Sequence, residues 1–270
     1  MLTAGAGSAH AQSGLPLKLD PTTAGGGTTL LIAVDAAALS RDGRAATSLV
    51  AALPRGMRLD TRARELLCTR SQAARQTCPA ASRVGFGRMV VAVTGFLAPG
   101  GETELAWSID AYLGTAVRSS DSAAIVLRSK LLAPDSVSQQ LGPSLDGDLP
   151  KVSVTSGRVV RPSSGKYGLE LRFSDLPGAL RVRPPAVAAP TRLELTLGAV
   201  RRVRQPFVRR LRVRTRAGYT IQKVPDHRLV GYDLLRTPDT CRGSWPSELR
   251  LGFPTGTTRA PAALYCLAGE

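Results

Sequence analysis

The fold class is set by two stretches of alternating sequence, Leu169-Glu170-Leu171-Arg172-Phe173 and Leu193-Glu194-Leu195-Thr196-Leu197. Each stretch has an apolar residue at every second position and a polar residue between. Successive side chains of a β-strand point to opposite faces of the sheet, so this pattern predicts strands with one buried and one solvated face. Half-buried strands of this kind are typical of antiparallel sheets.

Outward from these two stretches, most of the chain repeats the strand pattern, with Gly and Pro turns between segments. The sequence predicts strands over 28–34, 48–53, 57–59, 88–93, 103–113, 123–132, 152–160, 168–173, 192–197, 207–215, 231–235, 248–253 and 263–267. No helical pattern separates most of these strands, which argues against a parallel βαβ arrangement. We therefore expect an all-β fold, an antiparallel β-sandwich over residues 28–270, built as one domain or as two packed halves.

Residues 61–76 depart from the strand pattern and predict a short helical insert. Cys68 and Cys78 bracket its second half, and the proline after Cys78 ends it. Cys241 and Cys266 form a second local pair. Four cysteines allow three pairings, and loop closure favours the two short spans.

The cysteines and the N-terminus both indicate export. Cysteines in even number and in local pairs suit an oxidising compartment. Residues 2–11 are uncharged and rich in small side chains, and they end in Ser8-Ala9-His10-Ala11, an A-x-A pattern that signal peptidase accepts. We expect residues 1–11 to be the remnant of a signal peptide, cleaved after Ala11, with Met1 a truncated or misassigned start; the alternative is a disordered Ala/Gly leader.

The Gly-containing residues 12–27 predict a flexible N-terminal tail. No run of 18 apolar residues occurs, so the sequence predicts no transmembrane segment. We expect the protein to be secreted or extracellular and associated with the cell envelope.

The formal net charge of +16 has two sources: the amino-acid bias of the genome, and basic residues that could bind a ligand. All but five of the 36 basic residues are arginine, and Ala, Gly and Pro are abundant. This composition is typical of a high-GC genome, which enriches arginine without selecting a ligand. The remaining charge favours acidic polymers or anionic surfaces as partners.

Two motifs carry a resemblance to a known group. The first combines Leu53-Pro54-Arg55-Gly56 with Cys78-Pro79-Ala80-Ala81-Ser82-Arg83-Val84-Gly85, and the second joins 235–241, which contains Thr237-Pro238-Asp239-Thr240-Cys241, to Gly243-Ser244-Trp245-Pro246. The chain resembles a family of uncharacterised secreted proteins of high-GC actinobacteria that carry a CPxxSxVG element and a C-terminal TPxTC segment. The resemblance implies export and an extracellular location, and it implies no activity and no catalytic residues.

The densest basic segment spans residues 201–216 and contains no acidic residue. In its second half, Leu211 and Val213 alternate with arginines, so a strand would carry the arginines on one face and the aliphatic residues on the other. Guanidinium groups suit phosphate, sulfate and carboxylate. The candidate anion-binding residues are Arg209, Arg210, Arg212, Arg214 and Arg216.

Two interpretations of this arginine strand remain open alongside binding. The face is either solvated, or it pairs with acidic strands such as those of Glu170 or Glu194. Phe207 and Tyr219 are the aromatic residues near it, fewer than single-stranded nucleic acid binders use for stacking.

Enzymatic chemistry has little support in the sequence. A Ser/His/Asp hydrolase needs a histidine base, and the mature chain offers His227, beside Asp226 in a proline-containing segment that predicts an exposed turn. No G-x-S-x-G nucleophile elbow occurs. The carboxylates that could serve a glycosidase are expected on solvated strand faces: Glu102, Glu104, Asp110, Glu170 and Glu194.

Metal binding is also disfavoured, and we expect no cofactor. The cysteines lack the C-x-x-C spacing of a zinc site, and Asp146-Gly147-Asp148 offers too few oxygens for calcium and predicts a turn. Trp107 is expected in the core and Trp245 over the second disulfide.

The sequence thus favours an exported, non-enzymatic structural or binding protein of the cell envelope. The alternatives are a binder of anionic polymers (cell-wall glycopolymer, acidic glycan or nucleic acid) through the arginine strand, and a secreted hydrolase using His227. The sequence does not specify the ligand, the oligomeric state or the mode of surface attachment.

Overall fold

The computed structural model describes residues 16–41, 44–60, 67–95, 102–132, 137, 140–147, 149–163, 165–176, 180, 182–198, 201–215 and 218–268. Within these ranges the chain is built almost entirely of antiparallel strands, with two short α-helices. The all-β prediction is therefore confirmed.

The elements follow one another in this order: β1 (Leu17–Asp20), β2 (Gly27–Asp35), α1 (Ala36–Leu39), β3 (Ser40–Arg41), β4 (Arg44–Ala45), β5 (Ser48–Pro54), β6 (Arg58–Leu59), α2 (Arg70–Ala74), β7 (Arg83–Thr94), β8 (Glu102–Gly114), β9 (Asp121–Leu131), β10 (Val152–Val160), β11 (Tyr167–Phe173), β12 (Val187–Leu197), β13 (Arg201–Thr215), β14 (Gly218–Tyr232), β15 (Leu235–Arg236), β16 (Ser244–Phe253) and β17 (Gly256–Tyr265). Short 3-10 helices cover Ala80–Ser82 and Gly142–Ser144.

Thirteen strands form one large sheet in the order β17-β16-β5-β11-β10-β9-β8-β7-β12-β2-β15-β6, with β1 also paired to β2. The sheet folds over on itself, because a single cluster of buried side chains joins strands from distant positions in this order, among them Leu30, Leu49, Trp107, Leu195 and Leu251. The expected β-sandwich is thus made from one continuous sheet around one core.

The apolar residues of the two alternating stretches are buried, as their pattern predicts. Leu169, Leu171 and Phe173 are buried in β11, as are Leu193, Leu195 and Leu197 in β12. At roughly 25 cal/mol per Å² of apolar surface removed from water, each such leucine contributes about 2 kcal/mol. Register is therefore strongly specified, since a one-residue slip would move all of these side chains to the solvent.

Glu170 was expected on a solvated strand face, and the structure differs from this prediction. It is buried, and its carboxylate accepts hydrogen bonds from Arg172 on the same strand and from Arg250 on β16. Arg250 also donates to Glu248, whose other carboxylate oxygen accepts from the Tyr167 hydroxyl. Burial opposes ionisation of Glu248, but the hydrogen bonds from Arg250 and Tyr167 outweigh it and lower its pKa. Cross-strand arginine–glutamate contacts explain how this sheet face carries buried charge.

Of the predicted helical insert, residues 61–66 lie outside the described ranges; the described part contains the short α2, which Cys68 and Cys78 bracket in a disulfide as predicted. Thr69 caps the helix in a capping box with Gln72, which satisfies two backbone N–H groups at the N-terminus. The insert packs onto the outer face of the sheet, where Cys68, Ala73, Tyr112 and Val126 form a small second cluster.

The C-terminal disulfide joins Cys241 to Cys266, which confirms the second predicted pair. Trp245 is buried beside it in the main core and donates its indole N–H to the carbonyl oxygen of Thr240 at 2.8 Å. Trp107 is also fully buried. Trp107 is therefore a core residue, as predicted, and Trp245 belongs to the core cluster that also contains Cys266 of the second disulfide.

Part of the predicted N-terminal tail is structured. Residues 17–20 form β1 on the edge of β2, and Leu17 and Leu19 are buried in the core. The glycines that suggested flexibility lie after this strand, at 25–27. Among the described residues, no helix is long and apolar enough to cross a bilayer.

Candidate anion-binding ribbon

The arginine strand lies in a long two-stranded antiparallel ribbon. β13 pairs with β14 from Arg201↔Tyr232 to Thr215↔Gly218, and neither strand joins the main sheet. Fifteen residues of strand extend about 50 Å. The ribbon is inserted between β12 and β15, which lie on either side of β2: Leu197 is opposite Leu30, and Leu235 is opposite Thr28.

The cross-strand register assigns the ribbon's side chains to two faces, because directly opposed residues share a face. One face, called here the basic face, carries Arg210 opposite Lys223, Arg212 opposite Ile221 and Arg214 opposite Tyr219. All six side chains are exposed. The other face carries Leu211 and Val213, which are half-buried. Within residues 210–214 of β13, arginines and aliphatic residues therefore lie on opposite faces, whereas Ile221 of β14 shares the basic face.

The basic face has no acidic counterpart in the described part of the chain. None of Arg210, Arg212, Arg214 and Lys223 has a carboxylate within ion-pairing distance among the described residues. Arg210 and Lys223 are directly opposed like charges, an arrangement that destabilises a strand pair. The guanidinium of Arg212 lies 4.3 Å from the ring centre of Tyr219, a cation–π contact that covers one side of that ring.

Elsewhere in the described chain, arginines with carboxylate partners are common. Arg58 pairs with Asp239, Arg83 with Asp110, Arg158 with Asp121, and Arg192 with Glu194. The acidic strands of Glu170 and Glu194 do not cover the arginine strand, since each of these glutamates pairs with an arginine of the main sheet. The basic face is therefore open to solvent rather than covered by an acidic strand.

The five predicted anion-binding residues are not all brought together. Arg210, Arg212 and Arg214 share the basic face, whereas Arg209 lies on the opposite face, across from Val224. Arg216 lies outside the described residues. Lys223 was not predicted; alternation between Tyr219, Ile221 and Lys223 was the available signal in the sequence.

His227 lies within β14, not in the predicted turn, and its side chain is exposed on the same face as Arg210. The adjacent Asp226 points to the other face, and its carboxylate accepts a hydrogen bond from the backbone N–H of His227 at 2.7 Å. Asp226 is therefore not placed to orient the imidazole in the way a hydrolase triad requires.

The described residues contain no group of three or more His, Cys, Asp or Glu side chains able to hold a metal ion. Asp146 lies in a bend at the surface, and Asp148 falls outside the described ranges.

The chain matches no family model, no curated protein and no solved structure, so the resemblance to secreted actinobacterial proteins stays an expectation.

Proposed function

We propose that the chain is an exported, non-enzymatic protein that binds an anionic polymer of the cell envelope along the basic face of its ribbon. The observation that carries the proposal is the row of unpaired cations on that face, in a protein whose other arginines often have carboxylate partners. An anionic partner would neutralise the opposed charges of Arg210 and Lys223, which repel each other in the free protein.

The spacing of the cations favours an extended ligand. Alternate residues of a strand are about 7 Å apart, so Arg210, Arg212 and Arg214 present guanidinium groups at a regular interval along one line. Each planar guanidinium can donate two parallel hydrogen bonds to a phosphate or carboxylate. A linear polymer with an anionic group in every repeat unit would engage several of these sites at once, which multiplies weak individual contacts.

The ribbon pairs with no third strand among the described residues, which supports the same proposal. A two-stranded hairpin without a third strand or a packed face is marginally stable in water. A ribbon of this length that does not add to the main sheet is better explained by a role in contacting another molecule than by a role in folding.

An envelope polymer is a better fit than single-stranded nucleic acid. Bases bind by stacking on open aromatic rings, and one side of Tyr219 is already covered by Arg212. Two disulfides fit an oxidising compartment outside the cytoplasm. We therefore infer a phosphodiester- or carboxylate-containing glycopolymer as the ligand.

The test compares two charge-matched variants. The ribbon variant carries Arg210→Ser, Arg212→Ser and Arg214→Ser. The control variant carries Arg55→Ser, Arg75→Ser and Arg242→Ser, three exposed arginines outside the ribbon. Binding to immobilised poly(glycerol phosphate), poly-glutamate and a single-stranded oligonucleotide is measured at low salt.

We expect the ribbon variant to lose at least about tenfold in affinity for poly(glycerol phosphate), while the control variant stays close to wild type. Equal losses in both variants would mean that net charge alone drives binding, and the proposal would be wrong. Stronger binding to the oligonucleotide than to either other polymer would contradict the choice of an envelope polymer.

A further inference from the structure

A second basic region lies on the main sheet, apart from the ribbon. A cleft of about 580 Å³ opens between the start of α2, the loop that joins β8 to β9, and the residues that follow β11. Its floor is the outer face of β9 and β10, at Val126 and Ser156, and three arginines line it. We call it the arginine cleft, after Arg70, Arg118 and Arg158.

Tight packing fixes the wall that carries Arg70. The backbone N–H of Cys68 donates to the carbonyl oxygen of Leu113 at 2.9 Å, and Cys68 bridges to Gly114. A Cβ at Gly114 would lie 3.0 Å from the carbonyl oxygen of Cys68 and 2.7 Å from a methyl of Val126, so this close approach requires glycine. The Cys68–Cys78 disulfide closes the same loop.

The three arginines are held differently. Arg158 donates from Nε and Nη2 to both carboxylate oxygens of Asp121 at 2.6 to 3.1 Å. Arg70 donates to the carbonyl oxygen of Val154 at 3.0 Å, which positions it without neutralising it. The guanidinium of Arg118 forms no ion pair in the described part of the chain, but its backbone N–H donates to the carboxylate of Asp121 at 2.9 Å and its charge helps to lower the pKa of Asp121.

The lining contains one carboxylate, Asp175, and three guanidinium groups, of which that of Arg158 is already paired with Asp121. Asp175 accepts a hydrogen bond from the Ser174 hydroxyl at 3.2 Å and pairs with none of the cleft arginines among the described contacts. The buried hydroxyl of Ser156 has no hydrogen-bond partner within the described residues, a deficit that usually costs about 1–3 kcal/mol. Thr69, Thr115 and Thr155 also line the cleft.

We propose that the arginine cleft binds a small phosphate monoester, such as a sugar phosphate, with the phosphate on Arg70 and Arg118. Because Asp121 neutralises Arg158, the charge left in the cleft is that of Arg70 and Arg118 against Asp175, an excess of one positive charge that a phosphate group would neutralise. The volume falls in the range of small-molecule sites, and the hydroxyl side chains suit the hydroxyls of a sugar. This site does not depend on the function proposed for the ribbon.

The test uses glucose 6-phosphate, glucose and inorganic phosphate as probes, with binding followed by calorimetry. Methyl resonances of Val117, Ala124 and Val126 report whether the ligand occupies the cleft, since all three residues line it. Two cleft variants have opposite expected effects. Arg70→Gln with Arg118→Gln removes the cations, whereas Asp175→Asn removes the repelling carboxylate. Arg75→Gln is the matched control on the same helical segment, outside the lining.

We expect glucose 6-phosphate to bind and glucose not to bind. The double arginine variant should lose at least about tenfold in affinity, Asp175→Asn should gain severalfold, and Arg75→Gln should stay within twofold of wild type. Inorganic phosphate binding as tightly as the sugar phosphate would support the anion site and assign recognition to the phosphate group alone.

Absence of saturable binding up to about 10 mM would overturn the proposal, as would binding that the double arginine variant does not weaken. All four substituted side chains are exposed, so the variants are expected to fold, and a thermal melt checks this. The ribbon variant should bind glucose 6-phosphate normally; this result separates the two proposals, because the ribbon can fail its own test while the cleft passes.

Discussion

Removing the ribbon's arginines should change the salt dependence of polymer binding by a calculable amount. Each cation that replaces a condensed counterion adds about −0.7 to the slope of log K against log salt concentration for a single-stranded polyanion. Among the side chains that the structure describes, the basic face offers four such cations, Arg210, Arg212, Arg214 and Lys223. The wild-type slope is therefore about −2.8, and a rise from 50 to 200 mM NaCl should weaken binding about 50-fold.

Of these four cations, Lys223 is the one that the ribbon variant keeps. Its slope should fall to about −0.7, which is a loss of two- to threefold over the same salt range. The control variant has the same net charge as the ribbon variant and should keep the wild-type slope.

The assay is a titration of labelled poly(glycerol phosphate) at four NaCl concentrations, read by fluorescence anisotropy. Because slopes are compared, small differences in protein activity between preparations do not affect the result. If the ribbon and control variants show the same slope, or if the wild-type slope is close to zero, the basic face does not form the ion pairs inferred for it.

Three further predictions concern the stability of the protein. Replacing residues 206–227 by Asn-Gly, so that Gln205 and Arg228 flank a type I′ turn, should leave the melting temperature within a few degrees of wild type, because no buried side chain is described in that segment. Replacing Cys241 and Cys266 by alanine should lower the free energy of unfolding by about 3.5 kcal/mol, against about 2.7 kcal/mol for the pair that closes the shorter loop, as urea titration can measure. Asp121→Asn should destabilise the protein at pH 7, because the hydrogen bond from Arg158 lowers the pKa of Asp121 in the folded state. The stability that the ionised carboxylate contributes is present above the unfolded pKa near 4 and is lost as the pH falls below it. The difference in unfolding free energy between variant and wild type should therefore shrink in urea titrations at pH 3. A destabilisation of equal size at both pH values would contradict the role of the ionised carboxylate.

Local patterns in the sequence were sufficient to predict the fold class and both disulfides. Period-two alternation in 169–173 and 193–197 requires a surface with one buried face, and the strands show it. The cysteine pairs lie 10 and 25 residues apart, spans at which loop closure costs little. These are properties of short segments, which a sequence states directly.

The second strand of the ribbon was missed because Pro225 indicates a turn in most contexts. Proline cannot donate to a strand ladder, so it is excluded from the interior of a sheet but tolerated on an edge. In an isolated two-stranded ribbon both strands are edges, and Pro206 and Pro225 are accommodated opposite His227 and Val208. Pro225 does lack a backbone N–H donor, but it lies in a strand and not in the predicted turn.

Other features depend on which strands are neighbours, and the sequence does not state that. Glu170 is buried because Arg172 and Arg250 reach it from two strands about 80 residues apart in sequence. Arg209 belongs to the opposite face from Arg210 through register alone. The arginine cleft gathers residues from separate segments between 68 and 175, and none of these segments carries a recognisable motif.

The position of the ribbon has an evolutionary consequence. Substitutions along 206–228 do not have to preserve a packed interior, whereas almost any change in the alternating positions of β11 or β12 does. Natural variation in the ribbon should therefore follow the chemistry of the ligand in each species, while variation in the two-faced strands should follow the demands of folding. In orthologues that face a differently charged envelope, we expect the cations at 210, 212, 214 and 223 to change together and the strands that flank the insertion to stay the same.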